Sequence, residues 1–464
     1  MKKIFAVAAA TMGCFGALAD TWTDSSTGIG DHAFRGCSNL TSVTIGSGIT
    51  PTDLVTLGSR AYTTQTFGGK KVRRYRDLVY GARDDASGEG ASYAGAEGAY
   101  NRHRSGNYYD VFIAESFLNS PEALADMPVF IYLHGGSWSE KYDKDGSNGD
   151  FLGRVATNGY VAITMDYQLQ SEMSMTGGRF TPRGKASFAA MLCDIDTMLT
   201  YLKAQLPTIG MTNTRVVIGG DSAGAHLSMC YAWDQNGPNR LSGVSLRHDL
   251  AISCVVSIVG PSDLAAIFGP QLAMIASLPP ESRAMMAASL DFFGALAGAD
   301  LSGMLARGET AAMSAALAAW SPVGLVDSKS CRAILAYGYT NATVTASASD
   351  GVVPISNYNA LTNAFAASGV SYDARLFNKD HGSLSGGSEP SATWIVEKLG
   401  ALRLRLPRQD VLQEQYRDTR NELTPHDRWK MCNYPITSTQ YPISNYGGGY
   451  IGCWLLDTGY LHIG

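Results

Sequence analysis

Ser222 is the residue of this chain best placed to do chemistry. It stands in Gly220-Asp221-Ser222-Ala223-Gly224, a Gly-x-Ser-x-Gly pattern directly after the apolar run RVVIGG at 215–220 and directly before a helix-forming stretch. A serine hydroxyl is a weak nucleophile alone. It needs a base to take its proton, an acid to orient that base, and donors for the anion that forms on an attacked carbonyl. A sharp strand-to-helix turn lifts such a hydroxyl above a sheet, and small residues two positions to either side leave room for the strained backbone. The helix that follows aims its N-terminal amides, and the positive end of its dipole, at the developing charge.

Each helper has a candidate. His134-Gly135-Gly136-Ser137-Trp138 closes the apolar run VFIYLH, and its paired glycines expose their amides. With the amide of Ala223, Gly135 and Gly136 form the expected oxyanion hole. Among eight histidines, His381 in FNKDHGSL follows the last expected strand, where the base belongs in the chain order Ser, Asp, His. His248 precedes a strand instead, and His426 and His462 lie in the tail. Asp350 in SDGVVP, after the strand RAILAYGY, is the expected acid that fixes the imidazole tautomer. Asp380 is the alternative, set against by the fact that sequence neighbours rarely point at each other. The chemistry this predicts is two-step acyl transfer through an acyl-enzyme, with no metal or organic cofactor. Neither an HExxH zinc spacing nor a Gly-rich phosphate loop with its lysine is present.

Such residues must be held by a sheet. Short β-branched runs recur at 129–134, 160–167, 215–220, 252–260 and 331–339, each bounded by Gly, Asp or His, as strands buried on both faces require. Helical stretches such as 185–206 lie between them. Strand, helix, strand, repeated, predicts an α/β fold with a mostly parallel central sheet and helices on both faces. Strand-like pieces at 71–80 and 107–114 open the domain, with a Gly- and Ser-rich loop between them. An Ala-, Met- and Leu-rich helical insertion at 262–318 interrupts the alternation, read as ordinary helix packing with a lid as the alternative.

Taken together, HGGSW, GDSAG, DGVVP and DHG resemble the hormone-sensitive-lipase-like and BD-FAE-like, feruloyl-esterase-related α/β-hydrolases over roughly residues 70–402. The resemblance implies a carboxylic ester hydrolase of an often exported group that acts on acyl or aromatic decorations of plant polysaccharides. It assigns the oxyanion role to Gly135, Gly136 and Ala223, and the triad to Ser222, Asp350 and His381. VGPSDL at 259–264 and WSPVGLV at 320–326 are similar to family landmarks without chemistry. Two positions depart from the pattern: Ala225 stands where glycine is usual, and Gln168 in DYQLQ where arginine is common.

The remainder of the chain sets bounds. With 45% hydrophobic and 17% charged residues, the composition is that of an ordinary globular protein. Lys2 and Lys3 precede an apolar run ending at Leu18, which reads as a signal peptide at 1–19, with Cys14 as a poorly flanked lipoprotein alternative. The expected location is secreted, periplasmic or cell-surface. Losing both lysines moves the net charge from −5 to −7, and with no basic stretch nucleic acid is not an expected partner. No later apolar run reaches the roughly 18 residues of a membrane span. Residues 20–66 form a leader whose segment 29–50, with a short strand at Val43–Ile45, resembles one unit of BspA-type leucine-rich repeats. A lone unit cannot bury its own apolar face, so a structural cap is the favoured reading. Domain limits of 67–402 for the catalytic unit and 403–464 for a C-terminal extension follow. Cys432 and Cys453 are a disulfide candidate in an exported chain. The expected partner is a small or polysaccharide-linked ester. The rivals are a peptidase or amidase on the same fold, and a catalytically silent surface glycan-binding or adhesion protein.

Overall fold

A computed structural model of the protein describes residues 61–80, 108–139, 144–146, 148–170, 187–213, 215–234, 250–279, 290–340 and 348–405, and the backbone of six further short strands. Its centre is a nine-stranded sheet in the order β9-β8-β7-β6-β4-β5-β3-β2-β1. In chain order these are β1 (Thr63–Phe67), β2 (Lys70–Val79), β3 (Tyr108–Ala114), β4 (Val129–Leu133), β5 (Val161–Met165), β6 (Arg215–Asp221), β7 (Ala251–Ile258), β8 (Arg332–Gly338) and β9 (Tyr372–Phe377). The six strands from β5 to β9 across the sheet run parallel. The three N-terminal strands are added antiparallel at the other edge. The sheet thus begins at Thr63, upstream of the expected boundary at 67.

Every residue of β4, β5 and β6 is buried. Both faces of these strands are therefore covered by helices, which is why their sequences read as unbroken apolar runs rather than alternating ones. Ile131, Leu133, Ile163, Val216 and Ile218 are fully closed off from solvent. Each such side chain contributes roughly 1.5–3 kcal/mol of burial free energy. The connecting helices are α1 (Gly149–Thr157), α2 (Phe188–Gln205) and α3 (Ser222–Asp234). Ser187 starts α2 by accepting the Ala190 amide at 3.3 Å.

Chain order matters for the site. From β4 the chain moves outward to β5 and then returns past β4 to β6, so the connections leave β4 and β6 in opposite directions. A crevice opens at the carboxyl ends of parallel strands at such a reversal, and ligands of α/β proteins bind there.

The 262–318 insertion supplies α4 (Leu264–Ser277), α5 (Leu301–Ala306) and α6 (Thr310–Ala318). Leu264, Leu272, Ile275, Leu296, Leu305 and Leu317 belong to the main hydrophobic core. Met274 of the same insertion is exposed instead. The C-terminal part of the described chain adds α7 (Ile355–Ser368), the one-turn α8 (His381–Leu384) and α9 (Ser391–Arg405).

Two compact units divide the chain, Met1–Leu404 and Arg405–Gly464. In the second, Cys453–Leu455 and Leu461–Ile463 pair antiparallel. In the first, the expected strand Val43–Ile45 is present and pairs in parallel with Trp22–Asp24. The signal segment, the rest of the repeat-like unit, the loop at 81–100 and the Cys432–Cys453 candidate lie outside the described residues.

Candidate active site

The nucleophile turn owes its shape to close approach. Ser222 has φ of 49°, a left-handed conformation that costs a non-glycine residue on the order of 1–3 kcal/mol unless its surroundings over-determine it. The surroundings here are the end of β4. A Cβ on Gly220 would sit 2.2 Å from the Leu133 carbonyl oxygen, and one on Gly224 2.1 Å from the same atom. Any side chain at either position would push α3 off the sheet. Both glycines of the Gly-x-Ser-x-Gly pattern are thus explained by one carbonyl.

His381 follows β9 and reaches back over Ser222. Its Nε2 lies 3.0 Å from Ser222 Oγ, and its Nδ1 lies 2.8 Å from Asp350 Oδ2. Asp350 stands after β8 with its side chain fully buried. Its other oxygen, Oδ1, accepts the amides of Val352 at 2.8 Å and Val353 at 2.6 Å. Its carbonyl accepts the His381 amide at 2.8 Å. Both ends of the acid are therefore held, and the imidazole lies between acid and hydroxyl.

Asp380 is not part of this line. It caps α8 by accepting the Ser383 amide at 2.7 Å, an exposed bond that holds its carboxyl below the usual carboxylate range.

The HGGSW turn follows β4. Tyr167 stacks on the His134 ring at 4.5 Å and donates its hydroxyl to the His134 carbonyl at 2.7 Å. Burial lowers the His134 pKa to about 4, and its Nδ1 donates to the Gly135 carbonyl at 2.8 Å, so this histidine is a neutral structural strut. Gly136, Ser137 and Trp138 all have positive φ, and the Gly136 carbonyl accepts the Ser139 amide at 3.0 Å to close the turn.

One expected donor is otherwise engaged. The Gly135 amide donates to Asp221 Oδ1 at 3.0 Å, and an N–H has a single hydrogen to give. Gly136 in the turn and Ala223 in the first turn of α3 remain as the donor pair. Asp221 and Tyr132, whose hydroxyl donates to the same Oδ1 at 2.7 Å, received no role from the sequence. The available signal was the position of Asp221 beside the nucleophile inside the motif.

Both departures have local explanations. Ala225 is buried, and a Cβ on Gly260 would come within 2.7 Å of the Ala225 methyl, so the glycine of VGPSDL makes the room that glycine at 225 would otherwise supply. The Gln168 side-chain Nε2 donates to Asp194 Oδ1 at 3.4 Å beside its backbone amide on Oδ2 at 2.7 Å, which together anchor the 166–170 segment to α2. The landmark segments are clamped together: Asn357 accepts the amides of Ser262 at 2.8 Å and Asp263 at 2.7 Å, and Val323 donates to the Ser262 carbonyl at 3.0 Å.

Among the described residues, Asp77, Asp110 and Asp145 bring their carboxylates within 4.8 Å of one another, a grouping with metal-ligand spacing. Its cations are protein side chains: the buried Lys144 ammonium lies 2.8 Å from Asp77 and 2.7 Å from Asp110, Arg74 lies 2.6 Å from Asp110, and Arg76 lies 2.6 Å from Asp145. Burial pulls the lysine pKa down, but Asp110, Asp166 and Asp145 outweigh it and raise it above the ordinary value.

Comparison with known proteins places this geometry in a family. Over 128 residues the chain is 29% identical to the non-reducing polyketide synthase atr1 of Stereocaulon alpinum, covering 26% of this chain and 5% of that protein. Over 140 residues it is 26% identical to esterase LipC of Mycobacterium tuberculosis, covering 29% of this chain and 30% of that one. The chain therefore spans less than a third of the length of either curated relative. Among solved structures, an inhibited esterase B from Lactobacillus rhamnosis aligns with a TM-score of 0.47 at 17% identity, covering 76% of this chain and 90% of the other. A truncated carbohydrate esterase from gut microbiota aligns at 0.46 and 15%, covering 72% and 96%. No helix among the described residues is long and apolar enough to cross a membrane. The BD-FAE family model matches residues 117–353, just over half of the 464, from the helix before β4 through the loop that carries Asp350. The chain belongs to the BD-FAE family, on an α/β-hydrolase fold.

Proposed function

We propose that the chain is a serine carboxylesterase with Ser222 as nucleophile, His381 as base and Asp350 as the acid that orients it. The observation that carries this reading is the unbroken hydrogen-bonded line from Ser222 Oγ through the imidazole to Asp350 Oδ2, on a serine held at positive φ. In the first step Ser222 Oγ bonds to the ester carbonyl carbon as its proton passes to His381 Nε2. The tetrahedral oxyanion takes hydrogen bonds from the Gly136 and Ala223 amides. The carbon–oxygen bond to the alcohol breaks, and His381 returns the proton to the departing alkoxide. Water then attacks the acyl-enzyme, with His381 as base again, and the acid leaves as Ser222 is regenerated. Asp350 stays ionised throughout and stabilises the imidazolium.

The substrates we propose are acetyl or feruloyl decorations of plant polysaccharides, on the strength of the family, and export is proposed on the charge and apolar pattern of residues 1–19. The test uses the chain from Asp20 onward, wild type beside Ser222→Ala, on acetyl, butyryl, long-chain and feruloyl esters, acetylated xylan and a peptide anilide panel. Ester turnover by wild type alone is the expected result, and its acyl preference identifies the substrate. Anilide cleavage without ester turnover favours an amidase. A folded, inert wild type that still binds xylan overturns the enzyme reading.

A further inference from the structure

We propose that Asp221 is a positioning residue that locks the oxyanion turn and the histidine loop in register with Ser222. This rests on the reading of Ser222 as nucleophile and adds a residue that the reading does not use.

Two donors from the end of β4 and the turn after it converge on one carboxylate. From β4 comes the Tyr132 hydroxyl at 2.7 Å, and from the turn after it the Gly135 amide at 3.0 Å, both on Oδ1. The bend at 385–387, which begins four residues beyond His381, packs against β6 as well. The carboxylate belongs to the residue covalently joined to Ser222, and only 6% of Asp221 is exposed. Oxyanion turn, nucleophile and base loop therefore meet at the end of β6.

Geometry around the turn shows how closely it is held. A Cβ on Gly135 would lie 2.5 Å from Asp221 Oδ2, so the backbone has come as near to the carboxylate as glycine allows. Immediately afterwards the chain reverses through three residues of positive φ, beginning with Gly136 at 116°. Pinning the Gly135 amide fixes the plane from which that reversal starts, and with it the Gly136 amide. At the other side, Gly386 has φ of 70° and Gly387 of 67°, a bend that brings the chain after α8 back to the end of β6. Without an acceptor at 221 the Tyr132 hydroxyl and Gly135 amide would be buried and unpaired, and an asparagine there keeps one acceptor oxygen but not its charge.

Burial pushes the Asp221 carboxyl up from its ordinary range, against the pull of the Tyr132 hydroxyl, the Gly386 and Gly135 amides and the nearby His381. Hydrogen bonds to an ionised acceptor are about twice as strong as neutral ones, so a carboxylate here orients its donors more firmly than an amide can.

The experiment compares wild type, Asp221→Asn, Tyr132→Phe and Ser222→Ala on p-nitrophenyl acetate. Active sites are counted with a fluorophosphonate, and inhibition is measured with a trifluoromethyl ketone whose serine adduct places its oxygen in the oxyanion hole. For Asp221→Asn the expected result is a fall in kcat per titrated site of about 10- to 100-fold, the range for a weakened oxyanion donor, with KM within about threefold. The inhibition constant should rise by the same factor as kcat falls. Tyr132→Phe, which keeps the carboxylate, should lower kcat by about 3- to 10-fold, one neutral hydrogen bond's worth. A purely structural role would reduce the number of titratable sites and leave kcat per site and the inhibition constant at wild-type values, and that result overturns the proposal. If Asp221→Asn fails to fold, unchanged kcat and inhibition constant in Tyr132→Phe overturn it instead. Turnover by Ser222→Ala equal to wild type refutes the nucleophile assignment, a failure distinct from that of Asp221.

Discussion

Replacing Asp350 by asparagine tests the proposed triad through a change of one heavy atom. Asp350 Oδ1 accepts two amides, from Val352 at 2.8 Å and Val353 at 2.6 Å, and those donors compel an asparagine to keep its oxygen there. Its NH2 group must then take the place of Oδ2, which now lies 2.8 Å from His381 Nδ1. A donor at that position forces Nδ1 to be the acceptor and puts the imidazole hydrogen on Nε2. Ser222 Oγ, 3.0 Å away, then faces a donor instead of a base. The expected loss in kcat is on the order of 10⁴-fold, the size of a wrong-tautomer defect in a Ser-His-Asp triad. That is about 5 kcal/mol of transition-state stabilisation. The fold should be undisturbed, because the side chain keeps its volume and both amide contacts. The assay is kcat per fluorophosphonate-titrated site on p-nitrophenyl acetate, with Asp380→Asn in parallel. Asp380→Asn should stay within about twofold of wild type, because asparagine caps a helix about as well as aspartate and this carboxylate does not touch the imidazole. An Asp350→Asn enzyme with a tenth or more of wild-type kcat, or equal losses in the two variants, would refute the reasoning.

Acid should weaken the fold. Burial lowers His134 and His226 to about 4, whereas in the unfolded chain both titrate near 6.5. Between those values the unfolded state binds more protons, so unfolding free energy falls as pH drops from about 6.5 toward 4. Urea unfolding at pH 7.5, 6 and 5 checks this, and His226→Gln should flatten the dependence. Lys144→Met removes the buried ammonium shared by Asp77 and Asp110 and should cost about 1–3 kcal/mol, read as a lower urea midpoint, because Asp110 keeps only the Arg74 and Arg76 guanidiniums as counter-charge. Gly224→Ala places a methyl 2.1 Å from the Leu133 carbonyl oxygen, and overpacking there should cost at least about 1–3 kcal/mol and most of the activity. Thermal unfolding beside kcat separates the two effects.

The sheet was legible because its strands are buried on both faces and so announce themselves as unbroken β-branched runs; β4, β5 and β8 fall within the expected segments, and β6 and β7 overrun theirs by one residue each. Strand β9 was not singled out, since YDARLF is an edge strand with polar residues at exposed positions. The four segments that converge on Ser222 were legible from chain order, which a parallel sheet converts into position along one edge. What the sequence could not express was competition for a donor. Gly135 and Gly136 are identical letters, yet the amide of the first is taken by Asp221, and only coordinates distinguish them. Asp350 against Asp380 was likewise open until the cap on α8 showed where the second carboxylate is engaged.

Ser222 and His381 are 159 positions apart, and Gly135 lies 86 residues from Asp221. Contacts of such separation form late, after the cost of closing long loops has been met. A chain still being synthesised has no base for its serine until the segment after β9 has emerged, and a chain whose sheet is misordered has none at all. With Ser222 as the proposed nucleophile, its covalent capture by a fluorophosphonate should serve as a clock for refolding, because label is expected only when both halves of the sheet have found their order.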